Sequence, residues 1–328
     1  MASDALTAQA PPDTARWLTG VLAGLAAGAL WGMVFVTPRV VEGFNSVDVT
    51  AGRYVACGLF ALAAMAFMAW RDRAQVLGRH GLRTWPNARQ AAVALGLSVL
   101  GYTGYYLLLA LAIGDAGSVL PTLIIGTIPL WMMVLGKPEH LHWRGLLPGF
   151  VLTALGLGVM VWAESSSAEA AFAQAGDRSF WRGLAFAALA MANWTAFGLL
   201  NAAALKRDTA VRSSDWANWM GIAAGLGGLA LWVGQGSAWG DMVQREGFGA
   251  FVWVCAFTGI GAAWVASVLW NMASRHLSPS LAGQLIVSET VFGVVYSFAW
   301  DGQWPALAQW LACGLFVAGI LASVRAHR

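Results

Sequence analysis

The residue with the clearest chemical potential in this sequence is Glu289, a carboxylate inside the apolar stretch LIVSETVFGVVYSFAW. An ionised carboxylate at the centre of a membrane helix costs about 3 kcal/mol, so such a residue is a functional candidate by default. The alternative is a structural role, in which the carboxylate is hydrogen-bonded to the backbone or to a neighbour such as Ser288 or Thr290. The sequence leaves both roles open.

A second group of candidates combines aromatic rings with amides and hydroxyls deep in apolar segments. Trp31 and Trp194 occupy matched positions in the two halves of the chain, and Tyr102 and Tyr105 share one helix face. A buried phenol needs a partner for its hydroxyl, which favours a polar cavity. These residues predict an aromatic-walled cavity for an amphipathic or zwitterionic small molecule. The candidate substrate-binding residues are Trp31, Tyr102, Tyr105, Asn193, Trp194, Trp264, Asn271 and Glu289.

The histidines and cysteines of the chain do not form a pattern typical of catalysis or of metal binding. All five histidines lie in polar connecting segments or the C-terminal tail, and all three cysteines lie inside apolar segments. The pair His140 and His142 supplies too few ligands for a zinc site. We therefore expect no cofactor, no metal and no enzyme activity. A polytopic membrane enzyme is the alternative class, and it requires a nucleophile or a metal set near a membrane surface.

Composition shows which elements must position these side chains. Residues are 59% hydrophobic and 11% charged, and apolar runs of about 20 residues recur, the length that crosses a bilayer as a helix. No basic patch with interleaved aromatic residues is present, so nucleic acid is not an expected partner. We predict an all-α integral membrane protein in a lipid bilayer, with ten transmembrane helices at about 17–37, 49–70, 90–112, 116–136, 145–163, 182–204, 216–234, 248–273, 279–300 and 305–324.

The ten spans divide into two halves of five. Because five is odd, the second half starts from the other side of the membrane, and the repeats must be inverted. We predict repeats at 17–163 and 182–328, joined by an external linker at 164–181 and preceded by a disordered cytoplasmic tail at 1–16. On the side of that tail lie 14 of the 19 Lys and Arg residues, so both termini are expected in the cytoplasm. A shift of 163 residues aligns Gly20 with Gly183, Gly58 with Gly221, Gly96 with Gly259 and Gly156 with Gly319.

The fourth span is the most interrupted one. Pro121, Gly126 and Pro129 lie within it, and each proline removes a hydrogen bond and kinks the helix. We predict that these residues form a hinge for alternating access. Gly283 and Gly293 are the predicted soft points of the ninth span, its symmetry partner.

Several short motifs stand at fixed places along the chain. Trp31-Gly32 lies in the first span, and Arg53 lies in TAGRYVACG near the start of the second. The closing helix pair contains Ser278-Pro279, Glu289-Thr290, Gly302-Gln303, and Gln309-Trp310 with Gly319. Together these motifs resemble the EamA-type repeat of the drug/metabolite transporter superfamily. Two residues depart from the family pattern: Thr290, where the family usually has proline, and Gln303, where it usually has glutamate.

The resemblance implies a ten-helix secondary transporter of the inner membrane that exports small solutes. It is greatest to the amino-acid exporters, those of aromatic amino acids in particular, and we expect a monomer. A drug or other metabolite exporter driven by protons is the alternative within the same class.

Overall fold

The computed structural model describes residues 14–74, 85–116, 119–139, 141–163, 177–302 and 304–327, and these contain helices and no strand. Within these ranges, nine helices are long and apolar enough to cross a membrane, and a shorter apolar helix supplies the tenth span. The predicted all-α membrane architecture is confirmed. The helices are α1 Thr14–Phe35, α2 Ser46–Ala74, α3 Ala88–Ala116, α4 Leu120–Leu135, α5 Trp143–Ala163, α6 Asp177–Arg207, α7 Ser213–Gln235, α8 Phe248–His276, α9 Pro279–Asp301 and α10 Leu307–Ala326.

Two predicted boundaries differ from the helices. The helix α1 begins at Thr14, inside the predicted tail, and α6 begins at Asp177, inside the predicted linker. The remainder of the tail and linker, 1–13 and 164–176, lies outside the described residues, as does His140. Ser278 caps α9 as the motif predicts, because its Oγ accepts a hydrogen bond of 3.1 Å from the Leu281 amide.

Helix packing follows an approximate two-fold symmetry. The helix α2 packs on α7, α4 on α9 and α5 on α10, so equivalent helices of the two halves meet directly. In addition, α1 packs on α8 and α9, whereas α6 packs on α3 and α4. Exchanging each helix for the one five places along the chain leaves this pattern unchanged. With five spans in each half, the two halves are related by inversion across the bundle.

Close contacts of glycines match the 163-residue alignment. A Cβ at Gly20 would lie 2.9 Å from Leu277 Cγ, where α1 crosses the end of α8. At the aligned Gly183, a Cβ would lie 2.7 Å from Ala116 Cβ, where α6 crosses the end of α3. Both α3 and α8 also contain a π-helical segment, Val99–Thr103 and Gly259–Val265, at corresponding positions. Segments of this kind are frequent at functional sites.

One end of the bundle carries the two chain termini. There Lys206 Nζ donates a hydrogen bond of 2.7 Å to the Leu277 carbonyl, linking α6 to the end of α8. The Ser280 amide donates to the Gly136 carbonyl at 3.2 Å, linking α9 to the end of α4. The first contact lies within the second half, and the second contact joins the two halves at this end of the bundle.

The opposite end carries the connection between the halves. Arg182 at the start of α6 forms an ion pair of 2.7 Å with Asp115 at the end of α3. The Ser237 amide donates to Asp48 Oδ1 at 2.8 Å, so the segment after α7 is held to the start of α2. Both ends are therefore linked across the halves. The placement of the termini in the cytoplasm stays a prediction.

The fourth span is interrupted where the sequence predicts. It consists of two short helices, Val119–Ile125 and Ile128–Leu135, separated by Gly126 and Thr127. Thr127 Oγ1 donates to the Ile124 carbonyl at 2.7 Å, and Pro129 occupies the first turn of the second helix, where no amide hydrogen is required. Pro121 lies in the first turn of the other helix. The Ile124 carbonyl at the interruption is thus satisfied by a local hydrogen bond.

The ninth span is not interrupted. The helix α9 is continuous from Pro279 to Asp301. A Cβ at Gly283 would lie 2.4 Å from Met132 Cβ on α4, and one at Gly293 would lie 2.9 Å from Phe35 Cδ2. Close approach of neighbouring helices therefore accounts for both glycines. Bending of α9 at these glycines stays a prediction.

Candidate functional site

Three tryptophans meet where the two halves of the bundle come together. Trp31 on α1 and Trp194 on α6 have ring centroids 6.3 Å apart at 82°, an edge-to-face arrangement. Trp270 on α8 lies against both, at 5.5 Å from Trp31 and 6.0 Å from Trp194. The two matched tryptophans thus contact each other across the symmetry axis, and both remain partly exposed. The sequence did not single out Trp270, because it lies near the end of its predicted span.

Two tyrosines of α3 lie on the adjacent side of this region. The Tyr102 hydroxyl is 2.6 Å from Ser267 Oγ on α8, and its ring packs edge-on against Tyr54 at 5.9 Å. The prediction that a deep phenol requires a partner is met for Tyr102. Tyr105 lies within electrostatic reach of Glu289. Tyr105 is therefore the tyrosine of this pair that interacts with the one candidate carboxylate, that of Glu289.

Glu289 lies on the segment of α9 that crosses α1. A Cβ at Gly28 would lie 3.2 Å from the Glu289 amide nitrogen, and one at Gly32 would lie 3.0 Å from its carbonyl oxygen. The side chain is partly exposed. Its neighbour Ser288 donates instead to the Leu285 carbonyl at 2.7 Å, and among the described residues no side chain or backbone group hydrogen-bonds the carboxylate. The hydrogen-bonded structural role left open by the sequence is not the one observed.

Arg53 is a second charged residue in this region, and it was not among the substrate-binding candidates from the sequence. It lies in about the third turn of α2. Its Cζ is 5.1 Å from the centroid of the Tyr54 ring, and it interacts electrostatically with Glu289 and Tyr105. Its Nε atom is buried and has no hydrogen-bond partner among the described residues. Glu289 is therefore not the only charged side chain in this region.

The remaining candidates are distributed differently. Asn193 is partly exposed on α6 beside Trp194. The indole nitrogen of Trp264 donates to Asn218 Oδ1 at 2.7 Å, so its polar group is satisfied within the bundle. Asn271 is 1% exposed.

The Oδ1 atom of Asn271 accepts a hydrogen bond from Asn201 at 3.1 Å, and Asn201 also accepts one from Trp216 at 2.8 Å. This buried chain of hydrogen bonds joins α6, α7 and α8. The observed hydrogen bonds of Asn271 support the packing of these helices, and its contact with substrate stays a prediction.

The arrangement is suited to binding. Across the described ranges, no group of three or more His, Cys, Asp and Glu side chains could hold a metal ion. The three cysteines are buried and unpaired, far from any arrangement of nucleophile and base. The site instead contains partly exposed aromatic rings, the carboxylate of Glu289 and the guanidinium of Arg53, on helices of both halves.

A ten-span helical bundle of two inverted halves, with aromatic and charged side chains where the halves meet, is an architecture typical of membrane transporters. The model of the EamA-like transporter family matches residues 18–162. The chain is also 30% identical over 321 residues to the inner membrane protein YtfF of Escherichia coli (strain K12), covering 94% of this chain and 96% of that protein. It therefore belongs to the EamA-like transporter family, within the drug/metabolite transporter superfamily.

The fold has a solved counterpart. A crystal structure superposes with a TM-score of 0.67 at 20% sequence identity, covering 95% of this chain and 99% of the other. At this level of identity the likeness concerns the fold alone.

Proposed function

We propose that this transporter exports small amphipathic metabolites, amino acids including aromatic ones, across the inner membrane by alternating access. The observation that carries the proposal is the contact of Trp31 and Trp194 between the two halves. Trp31 lies on α1, the helix that crosses Glu289 at Gly28 and Gly32. Rings in this position are presented to a solute at the interface of the repeats, where substrate sites of such transporters lie. Their partial exposure leaves ring surface for an apolar side chain.

Substrate chemistry follows from the groups around the rings. An aromatic pair contributes about 0.5–1.5 kcal/mol beyond the area it buries, which favours a solute with a flat or bulky apolar part. The charged side chains favour a solute that also carries ionic groups. A polyanion is disfavoured because Glu289 repels it. These features support an amphipathic solute of moderate size.

The mechanism rests on the symmetry of the bundle. In an inverted repeat, rocking one half against the other exposes a central site first to one side and then to the other. The contacts Ser280–Gly136 and Arg182–Asp115 join the two halves at opposite ends, so opening either end requires breaking links at that end only. The name of YtfF supports the inner membrane as the location, and the distribution of Lys and Arg supports cytoplasmic termini.

A drug or metabolite exporter driven by protons is the second candidate. It is favoured by the Glu289 carboxylate, which is partly exposed and lacks a hydrogen bond from the described residues. Intramembrane acids of this kind carry protons in many transporters. Under this alternative, transport depends strictly on an imposed proton gradient, whereas downhill counterflow of an amino acid requires none.

The test is counterflow of labelled L-tryptophan in proteoliposomes. Wild-type protein should exchange it, and Trp31→Ala and Trp194→Ala should each reduce the initial rate several-fold. Trp131→Ala is the matched control, since Trp131 on α4 is 47% exposed on the outer surface of the bundle and should have no effect. Absence of exchange of any amino acid by the wild type, or equal loss in all three variants, would overturn the proposal.

A further inference from the structure

Two opposite charges face one region of the bundle without pairing. Arg53 on α2 and Glu289 on α9 interact electrostatically, yet among the residues that the structure describes neither forms an ion pair. Arg53 Nε is buried without a hydrogen-bond partner, and the Glu289 carboxylate is partly exposed. Among the described residues, the Arg53 Nε atom and the Glu289 carboxylate thus have no hydrogen-bond partner, so both groups are available to a ligand.

We propose that Arg53 and Glu289 are the two poles of a site that selects zwitterionic α-amino acids. The Arg53 guanidinium binds the carboxylate of the substrate, and the Glu289 carboxylate binds its ammonium group. This inference rests on the proposed function and deepens it, because it assigns the part of the substrate that every amino acid shares. The tryptophans then contact the variable side chain.

The energetics favour this substrate class over its neighbours. In a low-dielectric interior, an unpaired charge is costly and a well-aligned opposite charge offsets that cost. A cationic amine satisfies Glu289 and is repelled by Arg53, whereas a carboxylic acid satisfies Arg53 and is repelled by Glu289. A neutral solute leaves both charges uncompensated. Only a zwitterion neutralises both poles, and arginine binds a carboxylate in a bidentate geometry.

The positions of the poles are fixed by the fold. The Tyr54 ring lies 5.1 Å from Arg53 Cζ, which supports the guanidinium by a cation–π contact. A Cβ at Gly259 would lie 2.5 Å from the Arg53 carbonyl oxygen, so α8 packs directly on this part of α2. Glu289 is held by the close crossing of α9 and α1 at Gly28 and Gly32. The poles belong to different halves, so a bound zwitterion bridges the two repeats.

The experiment uses three probes that share one indole ring. L-Tryptophan carries both charges, tryptamine lacks the carboxylate, and indole-3-propionate lacks the amine. Uptake of each is measured in proteoliposomes loaded with unlabelled L-tryptophan, for wild type, Arg53→Gln and Glu289→Gln. Arg245→Gln is the matched control, because Arg245 donates to the Gly43 carbonyl at 2.8 Å in an exposed loop.

We expect the two variants to affect transport of different probes. Arg53→Gln lowers transport of L-tryptophan and indole-3-propionate by about tenfold or more, since hydrogen bonds to charged groups contribute about that factor, and raises transport of tryptamine, because the repelling charge is gone. Glu289→Gln lowers transport of L-tryptophan and tryptamine and raises transport of indole-3-propionate for the same reason. Arg245→Gln changes none. Equal loss of all three probes in either variant means a structural role and overturns the assignment of the poles.

Two further outcomes separate this inference from the proposed function. A wild-type protein that moves all three probes equally well is a transporter without the two poles, and only the inference fails. A wild-type protein that moves none of them overturns the proposed function and the inference with it. If Arg53→Gln does not fold, Arg53→Lys decides, because lysine keeps the charge and loses the bidentate geometry. Its loss should be smaller and confined to the two probes with a carboxylate.

Discussion

The fourth and ninth helices are symmetry partners that have diverged into different roles. Gly126 and Glu289 are aligned by the 163-residue shift, yet α4 is interrupted at Gly126 whereas α9 runs through Glu289 without a break. Only the second half carries a charge at this position. The comparison shows that α4 contains a break, whereas α9 is a continuous helix that carries Glu289.

The cause of this difference lies in single residues. Pro129 on α4 is aligned with Phe292 on α9, so the fourth helix lacks an amide hydrogen where the ninth has one. Without that hydrogen the Ile125 carbonyl loses its helical partner, and Thr127 takes over the local hydrogen bonding. In α9, the ladder of hydrogen bonds continues and keeps Glu289 on an unbroken helix.

The largest expected effect comes from moving the proline to the other helix. Phe292→Pro removes one hydrogen bond inside α9 and clashes with the preceding turn, which costs about 3 kcal/mol or more. The melting temperature of purified protein in detergent should fall sharply, or the protein should fail to assemble. Phe292→Ala controls for loss of the ring. If both variants melt alike, rigidity of α9 is not what separates it from α4.

A smaller effect is expected where the two helices cross. Gly283→Ala places a methyl group 2.4 Å from Met132 Cβ, an atom next to the backbone of α4 that cannot move alone. Overpacking of this kind costs about 1–3 kcal/mol. Gly314→Ala on α10 is the control, since nothing lies within 4 Å of its Cβ position. Equal melting temperatures for the two variants would contradict the close crossing and favour the interpretation of Gly283 as a soft point.

The sequence was sufficient for the helices and for the break in α4. Apolar run lengths predicted the spans, and Pro129 predicted the interruption, because both signals act within one segment. The matched positions of Trp31 and Trp194 were also recognised, since internal symmetry relates positions across the two halves, but their mutual contact was not predicted. Each of these inferences needs only local chemistry or the repeat.

Arg53, the charged residue that interacts with Glu289, could not be predicted from the sequence in the same way. Arg53 lies near the start of a span, where a basic residue ordinarily reaches out to the membrane surface. Its environment depends on how α2 packs against α8 at Gly259, which is a property of two helices. The hydrogen bond of Asn271 was missed for a related reason, because a deep amide serves a ligand or another amide according to its neighbours, and Asn201 is 70 positions away in the chain.

A further effect is expected from closing the break in α4. Pro129→Ala restores an amide hydrogen that can bond to the Ile125 carbonyl and extend the helix across Gly126. If the break serves the conformational change, the maximal rate of L-tryptophan counterflow should fall several-fold while the half-saturating concentration stays the same. Pro148→Ala in α5, a proline inside an uninterrupted helix, is the control and should leave the rate unchanged. Unaltered kinetics in both variants would remove the break from the transport cycle.

The smallest effect should come from a pair of aligned threonines. Thr127 on α4 donates from Oγ1 to the Ile124 carbonyl at 2.7 Å, whereas the aligned Thr290 on α9 is partly exposed within a continuous helix. Replacing each by valine keeps the shape and removes the hydroxyl, and one hydrogen bond contributes about 1 kcal/mol. Thr127→Val should therefore lower the melting temperature slightly, and Thr290→Val should leave it unchanged. A larger loss from Thr290→Val would show that α9 also depends on its own hydroxyl, and the division between an interrupted and a rigid helix would have to be abandoned.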